Sequence, residues 1–90
     1  MAEGSMIIIY HRDFKKSYKK LPPKIKEKLE DRLRLFSKDE FSPILNNHAL
    51  TGEYKGYRSI NVTGDLRAVF KRTNDDAMFV KIGSYSNLYG

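Results

Sequence analysis

The chain has 90 residues, of which 40% are apolar and 31% charged. That size fits one small domain with a single core, and the balance excludes a disordered polar chain. Cysteine is absent, which excludes disulfides, thiolate metal sites and thiol chemistry. Lysine and arginine number 17 against 11 acidic residues, a formal net charge of +6. Such a surface attracts polyanions, although a plain solubilising surface explains the same charge. No apolar run reaches the roughly 18 residues of a membrane span, and no secretion signal is visible, so a cytoplasmic protein without membrane contact is expected.

Residues 1–5, Met-Ala-Glu-Gly-Ser, precede a second methionine and read as an expression-tag remnant. One domain over 6–90 is expected to follow. Ile7 to Tyr10 is β-branched and aromatic, which predicts a strand. Phe14, Tyr18 and Leu21 then recur at helical spacing, with Asp13 where a carboxylate suits the helix dipole. Leu21-Pro22-Pro23 ends that helix, and Pro23 opens the next. Ile25, Leu29, Leu33 and Phe36 form one apolar stripe, which predicts a helix over Pro23–Ser37.

Lys38 to Gly56 reads as a connection, pinned by Phe41, Ile44, Leu45 and Leu50. Its length is unusual for a small domain, and long ordered loops tend to carry function. The last third alternates. Arg58, Ile60 and Val62 oppose Tyr57, Ser59 and Asn61; Leu66, Ala68 and Phe70 oppose Arg67, Val69 and Lys71; Met78, Val80 and Ile82 oppose Phe79 and Lys81. Turns fall at Thr63-Gly64 and Thr73 to Asp76. Three antiparallel strands sharing one apolar face need a cover, and the two helices supply it. The expected fold is α+β in the order β-α-α-β-β-β, with two helices on one face of a small, mainly antiparallel sheet.

The uncovered face then presents Asn61, Arg67, Lys71 and Lys81, with Tyr57, Ser59 and the Phe79 ring nearby. Cations interleaved with rings suit a phosphate backbone and stacked bases, and a solvated sheet face explains them too. His11 and His48 lie far apart, without metal-ligand spacing, and no phosphate loop or catalytic serine motif is present. Arg58 has the opposite parity from Ser59 and Asn61 and reads as a structural ion-pair residue.

Four segments together resemble the RelE/ParE-type toxins of bacterial toxin–antitoxin systems, in the YafQ-like branch. They are Asn47-His48-Ala49-Leu50-Thr51-Gly52, Tyr54-Lys55-Gly56-Tyr57-Arg58, Arg67-Ala68-Val69-Phe70-Lys71 with Val62 and Asp65 before it, and Ile82-Gly83-Ser84-Tyr85-Ser86-Asn87-Leu88-Tyr89-Gly90. The resemblance covers 6–90 and implies the RelE-like fold. It implies a ribosome-dependent mRNA endonuclease that cuts A-site codons without a metal or cofactor, leaving a 2′,3′-cyclic phosphate and a 5′-hydroxyl. It also implies contacts with the ribosome and its 16S rRNA, an acidic cognate antitoxin, and operator DNA bound only through that antitoxin.

The same resemblance assigns roles. His48 is a base or phosphate contact, Asp65 a base or an orienter of His48, and Arg67 a grip on the scissile phosphate. Tyr89 stacks on or positions a nucleotide, and Tyr85 is a possible proton donor. Lys55, Asn61, Lys71 and Lys81 are expected to bind RNA. Asn61 and Tyr85 stand where the branch carries histidine. Plainer roles exist for each: a loop hydrogen bond for His48, a turn cap for Asp65, tail packing for Tyr85 and Tyr89. The missing histidines motivate a second reading, a weakened homologue that mainly binds its antitoxin, and ParE-like relatives on the same fold suggest a third, a gyrase inhibitor.

Overall fold

The computed structural model describes residues 6–89. Residues 1–5, read above as a tag remnant, and Gly90 lie outside the described residues, as does the side chain of Tyr89.

Strand β1 (Ile7–Tyr10) leads through His11 into helix α1 (Arg12–Lys19). His11 caps that helix: its Nδ1 accepts from the Asp13 amide at 3.1 Å. Helix α2 (Pro23–Lys38) begins on proline, whose missing N–H is no loss in a first turn. Leu29 and Phe36 of its apolar stripe are fully buried. The connection that follows is ordered. It holds a 3₁₀ turn (Pro43–Leu45), the two-residue strand β2 (His48–Ala49) and a second 3₁₀ turn (Gly52–Tyr54). Strands β3 (Arg58–Asn61), β4 (Leu66–Arg72) and β5 (Asp76–Ser84) then form the meander. A short helix α3 (Tyr85–Tyr89) ends the described chain.

The sheet has five strands in the order β1-β5-β4-β3-β2. Only β1–β5 is parallel. The α+β fold with two helices on one sheet face is therefore as expected, with β2 and α3 added. A two-residue strand and a five-residue helix are too short to show a periodicity.

The expected side-chain alternation fails in β5. Val69 faces Lys81, but Phe70 faces Phe79, so Val80 is an extra residue, a β-bulge. The bulge reverses parity. Ala77, Phe79 and Ile82 point into the helix-side core, whereas Val80 packs on the other face. Phe79 therefore does not lie on the open face: it is fully buried and meets the rings of Tyr10, Phe14, Phe36 and Phe70 at 5.0–6.2 Å. Nor do Met78 and Val80 share the apolar face with Ile82. Tilted and edge-on ring pairs at these separations add to the area they bury.

The face away from α1 and α2 is partly covered as well. Leu50, Val69 and Leu88 form a second buried cluster, supported by Tyr54, Tyr57 and Val80. Ser59 is fully buried, contrary to the expectation that it lies open. Burying Val69 between sheet, loop and tail contributes on the order of 1.5–3 kcal/mol, and it anchors α3 to the sheet.

Arg58 forms no ion pair among the described residues. It is half-buried, and its Nε donates to Asn47 Oδ1 at 2.8 Å. The structural ion pair of that corner belongs to Arg72, whose guanidinium binds both carboxylate oxygens of Glu40 at 2.9 and 3.0 Å. No described helix is long and apolar enough to cross a membrane.

Candidate active site

His48 sits in the edge strand β2, opposite Ser59 of β3. Asn46, just before it, has a left-handed backbone (φ 47°), a conformation asparagine tolerates better than most residues. That turn aims the Asn46 carbonyl at the imidazole, 2.8 Å from Nδ1. A carbonyl only accepts, so Nδ1 carries a proton, and in the neutral ring Nε2 is the nitrogen with the lone pair. The ring lines a cleft of about 200 Å³ together with Ala49, Leu50, Thr51 and Tyr85.

Tyr85 reaches that cleft because α3 folds back over the sheet. Leu88 lies over Gly83, so close that a Cβ at 83 would stand 3.2 Å from its Cδ2. The Tyr85 amide donates to the Asp65 carbonyl at 2.7 Å, which ties the start of α3 to the β3–β4 turn. The Tyr85 ring is 54% exposed and lies under the Arg67 guanidinium, 5.3 Å from Cζ to centroid. Stacking on a ring fixes the plane of the fork.

Arg67 faces Asn61 on β3 and Gly83 on β5. One of its terminal nitrogens donates to the carbonyls of Thr63, Gly64 and Leu66 at 3.1–3.3 Å. The other terminal nitrogen and Nε have no partner among the described residues. That free edge is the geometry that grips a phosphate with two parallel bonds. The turn under it is built by Thr63, whose Oγ1 accepts from the amides of Asp65 and Leu66.

The structure thus brings three expected site residues together: His48 and Tyr85 in one cleft, and Arg67 against Tyr85. Asp65 is exposed on the turn; it meets Tyr85 through its backbone, and His48 is oriented by the Asn46 carbonyl. Asn61 keeps a buried Oδ1 without a hydrogen-bond partner among the described residues. It borders a separate cleft with Lys28, Arg32 and Thr63. Lys71 lies over the Tyr57 ring at 5.8 Å and Lys81 over the Tyr54 ring at 6.0 Å. Lys55 is exposed at the end of the second 3₁₀ turn. Asn46, Thr63 and Tyr54 support the site without having been singled out. The Thr63-Gly64 turn was the one available signal for Thr63, and Asn46 offered only its αL preference.

The family model for YafQ, described as a bacterial toxin of type II toxin–antitoxin systems, matches residues 6–90. No curated protein matches the chain by sequence. Among solved structures, YafQ from E. coli strain BL21(DE3) is 26% identical, covers 94% of this chain and 99% of that one, and superposes with a TM-score of 0.78. The toxin–antitoxin complex DinJ–YafQ from E. coli matches at 26% identity over 96% and 99% of the two chains, with a TM-score of 0.76. A YoeB/ParE toxin from Agrobacterium tumefaciens shares the fold, at 18% identity over 88% and 98% and a TM-score of 0.72. The chain belongs to the YafQ family of bacterial type II toxins.

Proposed function

We propose that this toxin is a cytoplasmic endoribonuclease that cleaves mRNA in the ribosomal A site and is held inactive by an acidic antitoxin. The observation that carries this reading is the convergence of His48, Tyr85 and Arg67 on one partly open sheet face. In the reaction the 2′-oxygen bonds to the adjacent phosphorus and the bond from phosphorus to the 5′-oxygen breaks. The products are a 2′,3′-cyclic phosphate and a 5′-hydroxyl. His48, with Nε2 as acceptor, takes the 2′ proton. Arg67 holds the phosphate oxygens as charge builds on them. Tyr85 delivers a proton to the leaving 5′-oxygen from beside that guanidinium.

Lys71 and Lys81, each held over a ring, line the path of the strand, with Lys55 and Asn61 at its margins. Tyr89 positions the nucleotide, Asp65 adds its carboxylate at the turn, and contacts to 16S rRNA hold the toxin in place. The DinJ–YafQ complex supports an antitoxin as the protein partner. Operator DNA is then met only through that antitoxin.

The test is primer extension on mRNA treated with purified toxin, with and without programmed ribosomes. Cuts are expected only with ribosomes, and Arg67→Ala should lower the rate at least about 100-fold. Folded wild-type protein that cuts in neither condition would reject the reading.

A further inference from the structure

A second cleft, of about 380 Å³, opens beside the β2 edge and is lined by Glu40, Phe41, Ala49, Gly56, Tyr57, Arg58 and Arg72. Its chemistry is uneven. Glu40 commits both carboxylate oxygens to Arg72. Arg58 is fixed in place yet has no counter-ion among the described residues. Its Nε donates to Asn47 Oδ1, and Asn47 in turn donates to the Glu40 carbonyl at 2.9 Å. Its guanidinium lies over the Phe41 ring, 5.7 Å from the centroid. Both terminal nitrogens of Arg58 therefore have no partner among the described residues, on a fork that is already oriented. An oriented, half-buried guanidinium loses little freedom on meeting a carboxylate.

We propose that the Arg58 cleft receives an aspartate or glutamate side chain of the antitoxin. The carboxylate meets the free edge of Arg58, and its apolar stem or neighbour packs on Phe41. The proposal rests on the antitoxin being this toxin's partner, and not on the RNA chemistry.

Three observations favour an acidic peptide over an RNA phosphate. Phe41, 64% exposed, forms with Ala49 an apolar wall of the cleft, which suits the methylene stem of an acidic side chain better than a ribose-phosphate backbone. Aromatic and arginine side chains are also the commonest energetic anchors of protein interfaces. Arg58 has the opposite parity from Ser59, the neighbour of His48, so its side chain leaves the other face of the β2–β3 pair, and of the lining residues the two clefts share only Ala49. An antitoxin segment draped over the two-residue edge strand reaches both sides.

The experiment is the affinity and dissociation rate of the complex between the full-length toxin and its cognate antitoxin. Wild-type toxin is compared with Arg58→Gln and Phe41→Ser. Each should raise Kd about 30-fold or more, mainly through faster dissociation, while cleavage by the free toxin is unchanged. Among antitoxin variants with one acidic residue changed to its amide, one should be strongly non-additive with Arg58→Gln. Phe41 is a surface residue, so its variant keeps the test open if Arg58→Gln does not fold.

Wild-type Kd in both folded variants overturns the proposal. So does a loss of RNA cleavage with antitoxin affinity intact, which would make the cleft an RNA contact. Failure of wild-type toxin to bind the antitoxin at all would reject the partner reading itself.

Discussion

Tyr85 stacks under Arg67 with its ring, while the proposed proton donor is its hydroxyl, so the two roles separate at one atom. Tyr85→Phe keeps the ring and should hold Arg67 in place. Single-turnover cleavage on programmed ribosomes should nevertheless fall about 100-fold if the hydroxyl is the acid. Tyr85→Leu removes both and should fall further. A phenylalanine variant at the wild-type rate would remove Tyr85 from proton transfer. Two other tyrosines matter for stability. Burial raises the pKa of Tyr10, and a hydrogen bond from the Tyr18 hydroxyl to the Glu30 carboxylate raises that of Tyr18, both from an ordinary 10.0. A raised phenol pKa means the folded state holds the proton more tightly. The stabilisation is complete below pH 10 and is lost as pH rises past it. The urea midpoint should therefore hold up to about pH 10 and drop as the pH rises above it. The drop should shrink in a Tyr10→Phe, Tyr18→Phe double variant. At this scale the resemblance points to His48, Arg67 and Tyr85, which the structure places near one another, whereas side-chain chemistry alone does not single them out. The orientation of His48 was not legible either, since it depends on a backbone carbonyl that carries no side-chain signature.

Helix α3 depends on Leu88, which is 7% exposed and fills the space above Gly83 and Val69. Leu88→Ala should loosen the helix and carry Tyr85 away from Arg67. Amide exchange should rise across α3 and cleavage should fall at least about tenfold. The thermal midpoint should fall by several degrees, because Leu88 closes the buried cluster over Val69. Unchanged exchange in α3 would mean that the Tyr85 amide bond to Asp65 suffices to hold it. The two long-range helices were readable from proline placement and apolar spacing, which report local geometry. In strand β5 the alternating pattern misplaces Met78, Phe79 and Val80. A bulge at Val80 leaves no mark in an alternating pattern, and the inward turn of Phe79 follows from the rings it meets, not from its sequence neighbours. The second apolar cluster was missed for a related reason. Val69 has the parity of Arg67 and Lys71, and only the returning tail shows that this part of the face is covered.

As a whole molecule, the toxin carries a net charge of +6 on 90 residues. Association with an acidic antitoxin should therefore be steered. Its on-rate should fall at least about tenfold between 50 and 500 mM salt, with a much smaller change in the off-rate, as stopped-flow mixing would show. The overall architecture was readable because each amphipathic element had one plausible place to bury its apolar side. The parallel pairing of β1 with β5 adds a matter of timing. Ile7 lies beside Asp76, so the two partners are 76 − 7 = 69 positions apart. At a synthesis rate of about 5–20 residues per second, β1 waits roughly 3–14 s for its neighbour to be made. Through that interval Ile8 and Tyr10 have no sheet to join, and neither Tyr85 nor the strand that leads to it exists. A nascent toxin is therefore both sticky and unarmed. The apolar side of β1 is thus made long before the residues of the candidate site that the finished sheet brings together.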